Sequence, residues 1–255
     1  MKKNNNWTKE ETIIAFNVYC KIPFKNSNKN NAIIIKYANI IGRSASALNM
    51  KIGNFGRLDP ELKKNGIKGL VNGSKLEEEV WDEFNGNWEK LAFDSEQLVA
   101  KFQNKKVEEV VNIDLENLPE GRDRESLIKS RVNQSFFRST ILSSYNHKCC
   151  ITGLTIPEFL VASHIIPWRL DIKNRINPHN GVCLNSIHDK AFDKGFLTIT
   201  PDFKIKVSKY LKNNIHDAAI KDLFLKYDNQ SIIKPDRFLP SKDFLDFHYN
   251  QVFKK

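Results

Sequence analysis

The chain has 255 residues, enough for one large domain or two small ones, and 40% of them are hydrophobic. No apolar run approaches the roughly 18 residues that a membrane-spanning helix needs, and the N-terminal MKKNNNWTKEE lacks the apolar core of a signal peptide. Four cysteines, two of them adjacent, provide no disulfide framework. The composition therefore argues against a membrane protein or a disulfide-rich secreted domain, and we expect a reduced, cytoplasmic setting.

The formal net charge of +10 is unevenly distributed along the chain. Residues 1–75 contain 14 basic and 4 acidic residues, residues 76–130 contain 7 and 15, and residues 131–255 contain 19 and 11. Two basic regions on either side of an acidic one predict two surfaces for a polyanion, joined by a segment that avoids it. An ordinary lysine-rich composition is the alternative explanation.

The N-terminal region predicts three short helices in succession. The first begins after Thr8, which forms a capping box with Glu11. The second spans residues 32–41 and ends at Gly42, and Ser44 is placed to cap a third. Two helices joined by so short a turn are typical of a helix-turn-helix.

The third of these helices would carry the DNA-reading face of the motif. Side chains expected at the turn or on the outer face of this helix suit base edges and phosphates, and they are Arg43, Asn49, Lys51 and Asn54. The opening residues Trp7-Thr8-Lys9-Glu10-Glu11 also resemble Myb-type DNA-binding modules. A three-helix bundle that only docks on the rest of the chain is the alternative.

The acidic middle of the chain predicts helices at 76–85 and 88–102, followed by a loop at Leu118-Pro119-Glu120-Gly121. We interpret this region as a helical bridge between domains that also offers a dimer surface. A further helix is expected at 125–145, and two arginines on it are candidate phosphate contacts, Arg131 and Arg138.

Residues 161–199 contain the most informative pattern in the chain. A strand-like run ends at Ser163-His164, and a polar loop then leads to Asn180-Gly181. A short helical pattern from Leu184 to Phe192 and a β-branched strand at 197–199 follow. The order of strand, polar loop and helix suits a metal ion held between a loop histidine and a helix face.

Two carboxylates on that helix suit such an ion. Asp189 and Asp193 are one helical turn apart, so they point the same way. Oxygen ligands on one face favour a hard divalent cation such as magnesium. His188 lies about 100° around the helix from Asp189, so one of these two residues should be the inner ligand.

These residues resemble the HNH endonuclease family, whose motif is a β-β-α-metal hairpin. The similarity is closest to the branch found in restriction endonucleases, and it covers residues 131–200. It is carried by Gln134-Ser135-Phe136-Phe137-Arg138, Cys150-Ile151-Thr152-Gly153, Ala162-Ser163-His164-Ile165-Ile166-Pro167-Trp168, Asn180-Gly181 and His188-Asp189-Lys190-Ala191-Phe192-Asp193-Lys194-Gly195.

The resemblance implies a role for each motif residue. His164 is the general base, Asn180 fixes the loop that aims it, and His188 or Asp189 binds one Mg²⁺ or Mn²⁺. The chain departs from the family in two respects. Ser163 stands where many members have a second ligand. The paired Cys-x-x-Cys motifs are also missing, so no structural zinc is expected.

We therefore expect an α+β protein with a helix-turn-helix-like domain at 1–75, an acidic helical linker at 76–130 and a nuclease domain with a helical tail at 131–255. The expected function is a metal-dependent DNA endonuclease of a restriction or defence system, acting on double-stranded DNA as a homodimer. Arg169 and Lys190 are further candidate phosphate contacts. The alternatives are a homing or mobile-element nuclease, and a DNA-binding regulator with a decayed nuclease site.

Overall fold

The computed structural model describes residues 6–67, 69–70, 73–111 and 124–255. The chain divides into two compact units, Met1–Thr140 and Ile141–Lys255. The helices described in the first unit are α1 (Lys9–Lys21), α2 (Ala32–Ile41), α3 (Ala45–Gly56), α4 (Pro60–Lys64), α5 (Lys75–Phe84), α6 (Trp88–Gln103), α7 (Val107–Val110) and α8 (Arg124–Ser144), which continues into the second unit.

The second unit combines small sheets with short helices. Its described elements are β1 (Leu160–His164), β2 (Gly181–Asn185), α9 (Ser186–Asp193), β3 (Leu197–Ile199), β4 (Ile205–Val207), α10 (Lys209–Asn213), α11 (Ala218–Leu223) and α12 (Lys242–Phe247). The predicted α+β class is confirmed. The predicted loop at residues 118–121 lies outside the described residues. In the described ranges, no helix is both long enough and apolar enough to span a membrane.

The caps predicted at the N-terminal helices are confirmed. The Glu11 amide donates to the Thr8 hydroxyl at 3.2 Å, and the Thr8 amide donates to the Glu11 carboxylate at 2.9 Å. Gly42 ends α2 in the left-handed region at φ 65°, where a side chain would be strained. The Ser44 hydroxyl accepts from the Ala47 amide at 3.2 Å and starts α3.

Helix α1 is the centre of the first unit. Its Phe16 stacks on Phe55 of α3, with 4.8 Å between ring centroids, and lies 5.2 Å from the ring of Trp81 on α5. Lys21 of α1 forms an ion pair of 2.8 Å with Glu96 of α6. The acidic helices α5 and α6 therefore pack on the N-terminal helices within one unit, whereas the sequence had predicted a separate linker.

A buried ion pair joins α3 to α5. Glu77 is fully buried, and it accepts hydrogen bonds from Lys51, from Asn54 at 3.0 Å and from the Ser74 hydroxyl at 2.6 Å. Burial alone would raise the pKa of Glu77, but these hydrogen bonds outweigh it and lower the pKa to about 2. The carboxylate is therefore ionised in the folded chain at any ordinary pH.

Removing this charge should destabilise the first unit. We expect Glu77→Gln to lower the free energy of unfolding by about 3–5 kcal/mol, because it leaves Lys51 buried without its partner. Glu78→Gln is the control: its carboxylate is half exposed and pairs with Arg57 at the surface, so the loss should stay below about 1 kcal/mol. Denaturant unfolding at pH 7 measures both, and equal losses would contradict the assignment.

The two sheets of the second unit are antiparallel pairs. β1 and β2 pair from Leu160 opposite Asn185 to His164 opposite Gly181, and β3 pairs with β4. Helix α9 follows β2 directly, because the Asn185 side chain accepts from the His188 amide at 2.8 Å and caps the helix. The predicted helix start at Leu184 is therefore wrong, since Leu184 is a buried residue of β2.

The C-terminal segment holds the end of α9. The ring of His248, in a π-helical turn at 248–252, stacks on Phe192 with 3.7 Å between centroids. Its Nε2–H donates to the Phe192 carbonyl at 3.2 Å, and its Nδ1 accepts from the Thr198 hydroxyl at 2.8 Å. A Cβ at Gly195 would lie 2.1 Å from the Val252 carbonyl oxygen, so the two segments approach too closely for a side chain there.

The buried His248 should make stability depend on pH. Burial lowers the pKa of His248 from 6.5 to about 4. The unfolded chain therefore takes up a proton below about pH 6.5 that the folded chain excludes. The stability contribution is complete above pH 6.5 and is lost as the pH falls toward 4, by up to about 3 kcal/mol.

Thermal unfolding measured from pH 8 to pH 4 tests this expectation. His248→Gln should lose much of the decline between pH 6.5 and 4, whereas the exposed His216→Gln should keep the wild-type profile. An unchanged profile in His248→Gln would show that other groups cause the decline.

Candidate active site

His164 lies at the end of β1, and its tautomer is fixed by a backbone contact. Its Nε2 lies 2.7 Å from the carbonyl oxygen of Arg175. Because a carbonyl only accepts, Nε2 carries the hydrogen and Nδ1 is the proton-accepting nitrogen of the neutral ring. Burial lowers the pKa of His164, although the Arg175 carbonyl and the charge of Asp193 act in the opposite direction. The ring is therefore suited to accept a proton at neutral pH.

Asn180 closes the loop that begins at His164. Its side-chain oxygen accepts from the Ile166 amide at 2.8 Å, and its Nδ2 donates to the carbonyls of Ile166 at 3.3 Å and Asn174 at 3.1 Å. Its own backbone carbonyl accepts from the Ile165 amide at 3.0 Å. Asn180 thus ties the residues just after His164, and Asn174 further along the loop, to the start of β2, which is the role expected of the loop anchor.

Asp189 and Asp193 occupy one face of α9 beside His164. Burial raises the pKa of Asp189, and the negative charge of Asp193 adds to this effect, while Ser163 and Lys190 lower it. Partial removal of water also raises the pKa of Asp193, against the charges of Lys190, His164 and Lys194. Asp193 is thus electrostatically coupled to both His164 and Asp189, so the three groups share one site.

Ser163 lies beneath this site. Its hydroxyl is buried and close enough to Asp189 to lower the pKa of that carboxyl, yet it makes no hydrogen bond of normal geometry with any described residue. A buried polar atom without such a bond is uncommon in a folded protein. It lies where the resemblance implies a second ligand.

The residues present fit a magnesium or manganese ion. In the part of the chain that the structure describes, no group of three or more His, Cys, Asp or Glu side chains is arranged to hold a metal ion. Mg²⁺ is usually bound through one or two carboxylates, and water and substrate phosphates complete its coordination. Asp189 and Asp193 provide this kind of donor set, whereas zinc prefers nitrogen and sulfur ligands.

His188, the other candidate ligand, points to the back of α9. Its Nε2–H donates to the Leu223 carbonyl at 2.7 Å, and its Nδ1 accepts from the Asn185 amide group at 3.2 Å. Burial would raise the pKa of the Cys149 thiol, but interactions with His188, Thr152 and Ile151 together lower that pKa to about 7. Both ring nitrogens are engaged within the fold, so the geometry favours Asp189 as the inner ligand.

The predicted DNA-reading residues of the N-terminal unit make internal contacts. Lys51 was expected to face outward, and this is wrong: it is buried against Glu77, because the same face of α3 also packs on α5. Asn54 also donates to Glu77. Arg43 pairs with Glu11 at 2.7 Å, and Asn49 accepts from the Ser27 hydroxyl at 2.6 Å.

The other candidate DNA contacts are exposed. Arg131 and Arg138 lie on α8, where they line a groove of about 850 Å³ in the first unit together with Lys36 of α2. In the second unit, Lys190 follows Asp189 on α9, and Arg169 lies in the loop that Asn180 closes.

Residues 149–200 match the HNH endonuclease family. This segment runs from Cys149 through β1, β2, α9 and β3, and it contains His164, Asn180 and both helix carboxylates. The match covers about one fifth of the chain and indicates a nuclease with DNA as its substrate. No curated protein shows significant similarity to the chain.

Metal binding should separate the three candidate ligands. We expect Asp189→Asn and Asp193→Asn to weaken Mn²⁺ binding at least tenfold, because each removes one of two carboxylates. His188→Gln should keep Mn²⁺ affinity and lower thermal stability, since its ring contacts only the fold. Titration calorimetry and thermal unfolding give the two readouts. Loss of Mn²⁺ binding in His188→Gln together with retention in Asp189→Asn would reverse the assignment.

Proposed function

We propose that the chain is a divalent-metal-dependent DNA endonuclease of a restriction or defence system. The observation that carries this proposal is His164, whose proton-bearing nitrogen is fixed by the Arg175 carbonyl, whose pKa is lowered by burial, and which interacts electrostatically with Asp193. A proton acceptor facing carboxylates that suit a hard cation is an arrangement for hydrolysing phosphodiesters. The family match over residues 149–200 supports the same chemistry.

The roles of the side chains follow from their positions. His164 accepts a proton from the attacking water through Nδ1, and Asn180 keeps the loop in the conformation that orients the ring. Asp189 and Asp193 would hold the ion, which supplies charge stabilisation at the phosphate and the leaving oxygen when bound. Lys190 and Arg169 are exposed cations beside this site and contact flanking phosphates.

The basic N-terminal unit is proposed to select the target. Because Lys51 and Asn54 are engaged with Glu77, target contacts fall to side chains that remain exposed, such as Arg131 on α8 and Lys36 on α2. A double-strand cut needs two active sites, so we propose a homodimer. A homing or mobile-element nuclease would use the same chemistry.

One observation favours a second candidate function, a DNA-binding regulator with a decayed nuclease site. Ser163 occupies the position where many family members have a ligand, and its hydroxyl makes no standard hydrogen bond with the described residues. Such a protein would bind DNA and leave it intact.

Plasmid cleavage by the 255-residue chain tests the proposal. We expect cleavage with Mg²⁺ or Mn²⁺ that stops when a chelator is added. His164→Ala should slow cleavage by about 10² or more, the usual contribution of a general base, while DNA and Mn²⁺ binding persist. His216→Ala, at an exposed histidine in the same unit, is the control and should cleave normally.

The outcomes separate the two candidate functions. Normal cleavage by His164→Ala would remove the proposed base. Intact plasmid with the wild-type protein, despite bound DNA and Mn²⁺, would favour the regulator.

A further inference from the structure

The loop that follows His164 has an exposed apolar tip. Leu170 is 65% exposed and Ile172 is 70% exposed. Among the large hydrophobic side chains in the ranges that the structure describes, these two are the most exposed. Single apolar residues on a surface need no explanation. Two exposed apolar residues at one loop tip beside a candidate active site do need an explanation.

The tip is held in a defined conformation. The carboxylate of Asp171, between the two apolar residues, accepts from the amides of Lys173 and Asn174, both at 3.1 Å, and from the Asn174 side chain at 2.6 Å. Asn174 in turn accepts from the Asn177 side chain at 2.9 Å. The acidic group at the tip is therefore engaged within the loop, and its hydrogen bonds limit the freedom of the backbone that carries Leu170 and Ile172.

The same loop carries the contact that orients the base. The Arg175 guanidinium donates to the Trp168 carbonyl at 2.9 Å and lies 5.1 Å from the centroid of the Trp168 ring. The backbone carbonyl of Arg175 is the group that accepts from His164. The apolar tip and the proton acceptor thus belong to one hydrogen-bonded unit, and whatever the tip contacts lies at a fixed place relative to His164.

The charges around the tip suit a polyanion. Arg169 and Lys173 are exposed on either side of the pair formed by Leu170 and Ile172. The minor groove of duplex DNA offers the complementary pattern, because base edges form its floor and a row of phosphates runs along each side. The tip lies in the loop that follows His164, so the DNA substrate of the proposed nuclease is the nearest such partner.

We infer that Leu170 and Ile172 enter the minor groove and partly unstack a base step next to the phosphate presented to His164. Arg169 and Lys173 contact the phosphates on either side. Apolar side chains inserted in this way kink the duplex, and pyrimidine–purine steps deform most easily. Cleavage therefore favours sites that contain such a step. This inference rests on the proposed function, since it takes DNA as the substrate.

Cleavage of paired and pre-deformed duplexes by the 255-residue chain tests the inference. We expect Leu170→Gln and Ile172→Gln to cleave a fully paired duplex about tenfold more slowly or worse, because they no longer unstack the step. Both should approach the wild-type rate on the same duplex with a one-base bulge at that step, where stacking is already lost. A loss confined to one substrate is not what general damage to the site would cause.

Two controls match these variants. Ile172→Leu keeps an apolar side chain at the tip and should cleave both duplexes normally. Phe159→Gln changes another exposed apolar side chain, 54% exposed, at the opposite end of β1. It lies about 17 Å along the chain from His164, and its cleavage of both duplexes should also stay normal.

A 2-aminopurine at the step provides a readout that does not need cleavage. Its fluorescence should rise when the wild-type protein binds in Ca²⁺, and should rise less with either glutamine variant. If both glutamine variants cleave the paired duplex at the wild-type rate, Leu170 and Ile172 do not unstack DNA, although the proposed nuclease function is unaffected. A tip that binds another protein would give this result. Equal slowing on paired and bulged duplexes would also overturn the inference. If the wild-type protein cleaves neither duplex, the proposed function fails. The fluorescence alone then shows whether Leu170 and Ile172 unstack the base step.

Discussion

The geometry of the candidate active site depends on one buried amide group. Asn180 uses its side-chain oxygen and both donor positions of its Nδ2 to hold Ile166 and Asn174, two points of the segment that connects β1 to β2. The Arg175 carbonyl, which determines which nitrogen of His164 carries the proton, follows immediately after this closure. Loss of the amide would leave buried backbone groups unpaired, which is more unfavourable than the loss of an exposed hydrogen bond. The orientation of the His164 ring thus follows from satisfying a few backbone groups.

Helix α9 has two faces with different tasks. The carboxylates of Asp189 and Asp193 lie on the face toward His164, and the opposite side is held by histidines. His188 donates to the Leu223 carbonyl, and His248 stacks on Phe192 and donates to its carbonyl. A helix of eight residues has little stability of its own. Its carboxylates therefore keep their positions only because segments far along the chain pack behind them.

In the first unit, the sequence could predict the interactions between residues close together in the chain. The caps at Thr8, Gly42 and Ser44 involve partners within a few residues, and their composition alone located the helix ends. The burial of Lys51 could not be found in this way. Its partner Glu77 lies 26 residues away, in a region whose acidic composition resembled a linker. An amphipathic acidic helix and an acidic linker have the same composition, and only the packing of α5 on α1 distinguishes them.

In the second unit, too, the sequence could predict local relations but not contacts between residues far apart in the chain. The one-turn spacing of Asp189 and Asp193 located the carboxylate face, because helix geometry determines that relation without tertiary information. Leu184 suits a buried strand or a helix equally well, and the Asn185 cap decides between them. The choice between His188 and Asp189 needed the Leu223 carbonyl, 35 residues away. No local pattern could indicate which side of the helix that carbonyl would occupy.

The electrostatics of the site favour a cation and leave its coordination open. Burial raises the pKa of Asp189, and the charge of Asp193 raises it further, so a positive charge between them would relieve an unfavourable arrangement. Ser163 adds a buried hydroxyl that no described group satisfies by a standard hydrogen bond. The described residues nevertheless supply fewer ligands than a closed metal site, and water and a substrate phosphate commonly complete such a set around Mg²⁺. An ion whose coordination is completed by the substrate phosphate can interact more strongly with that phosphate as negative charge develops on it in the transition state. Such interactions lower the barrier to reaction. An incomplete ligand set at Asp189 and Asp193 is therefore better suited to hydrolysing a bound phosphodiester than to holding a permanent structural ion.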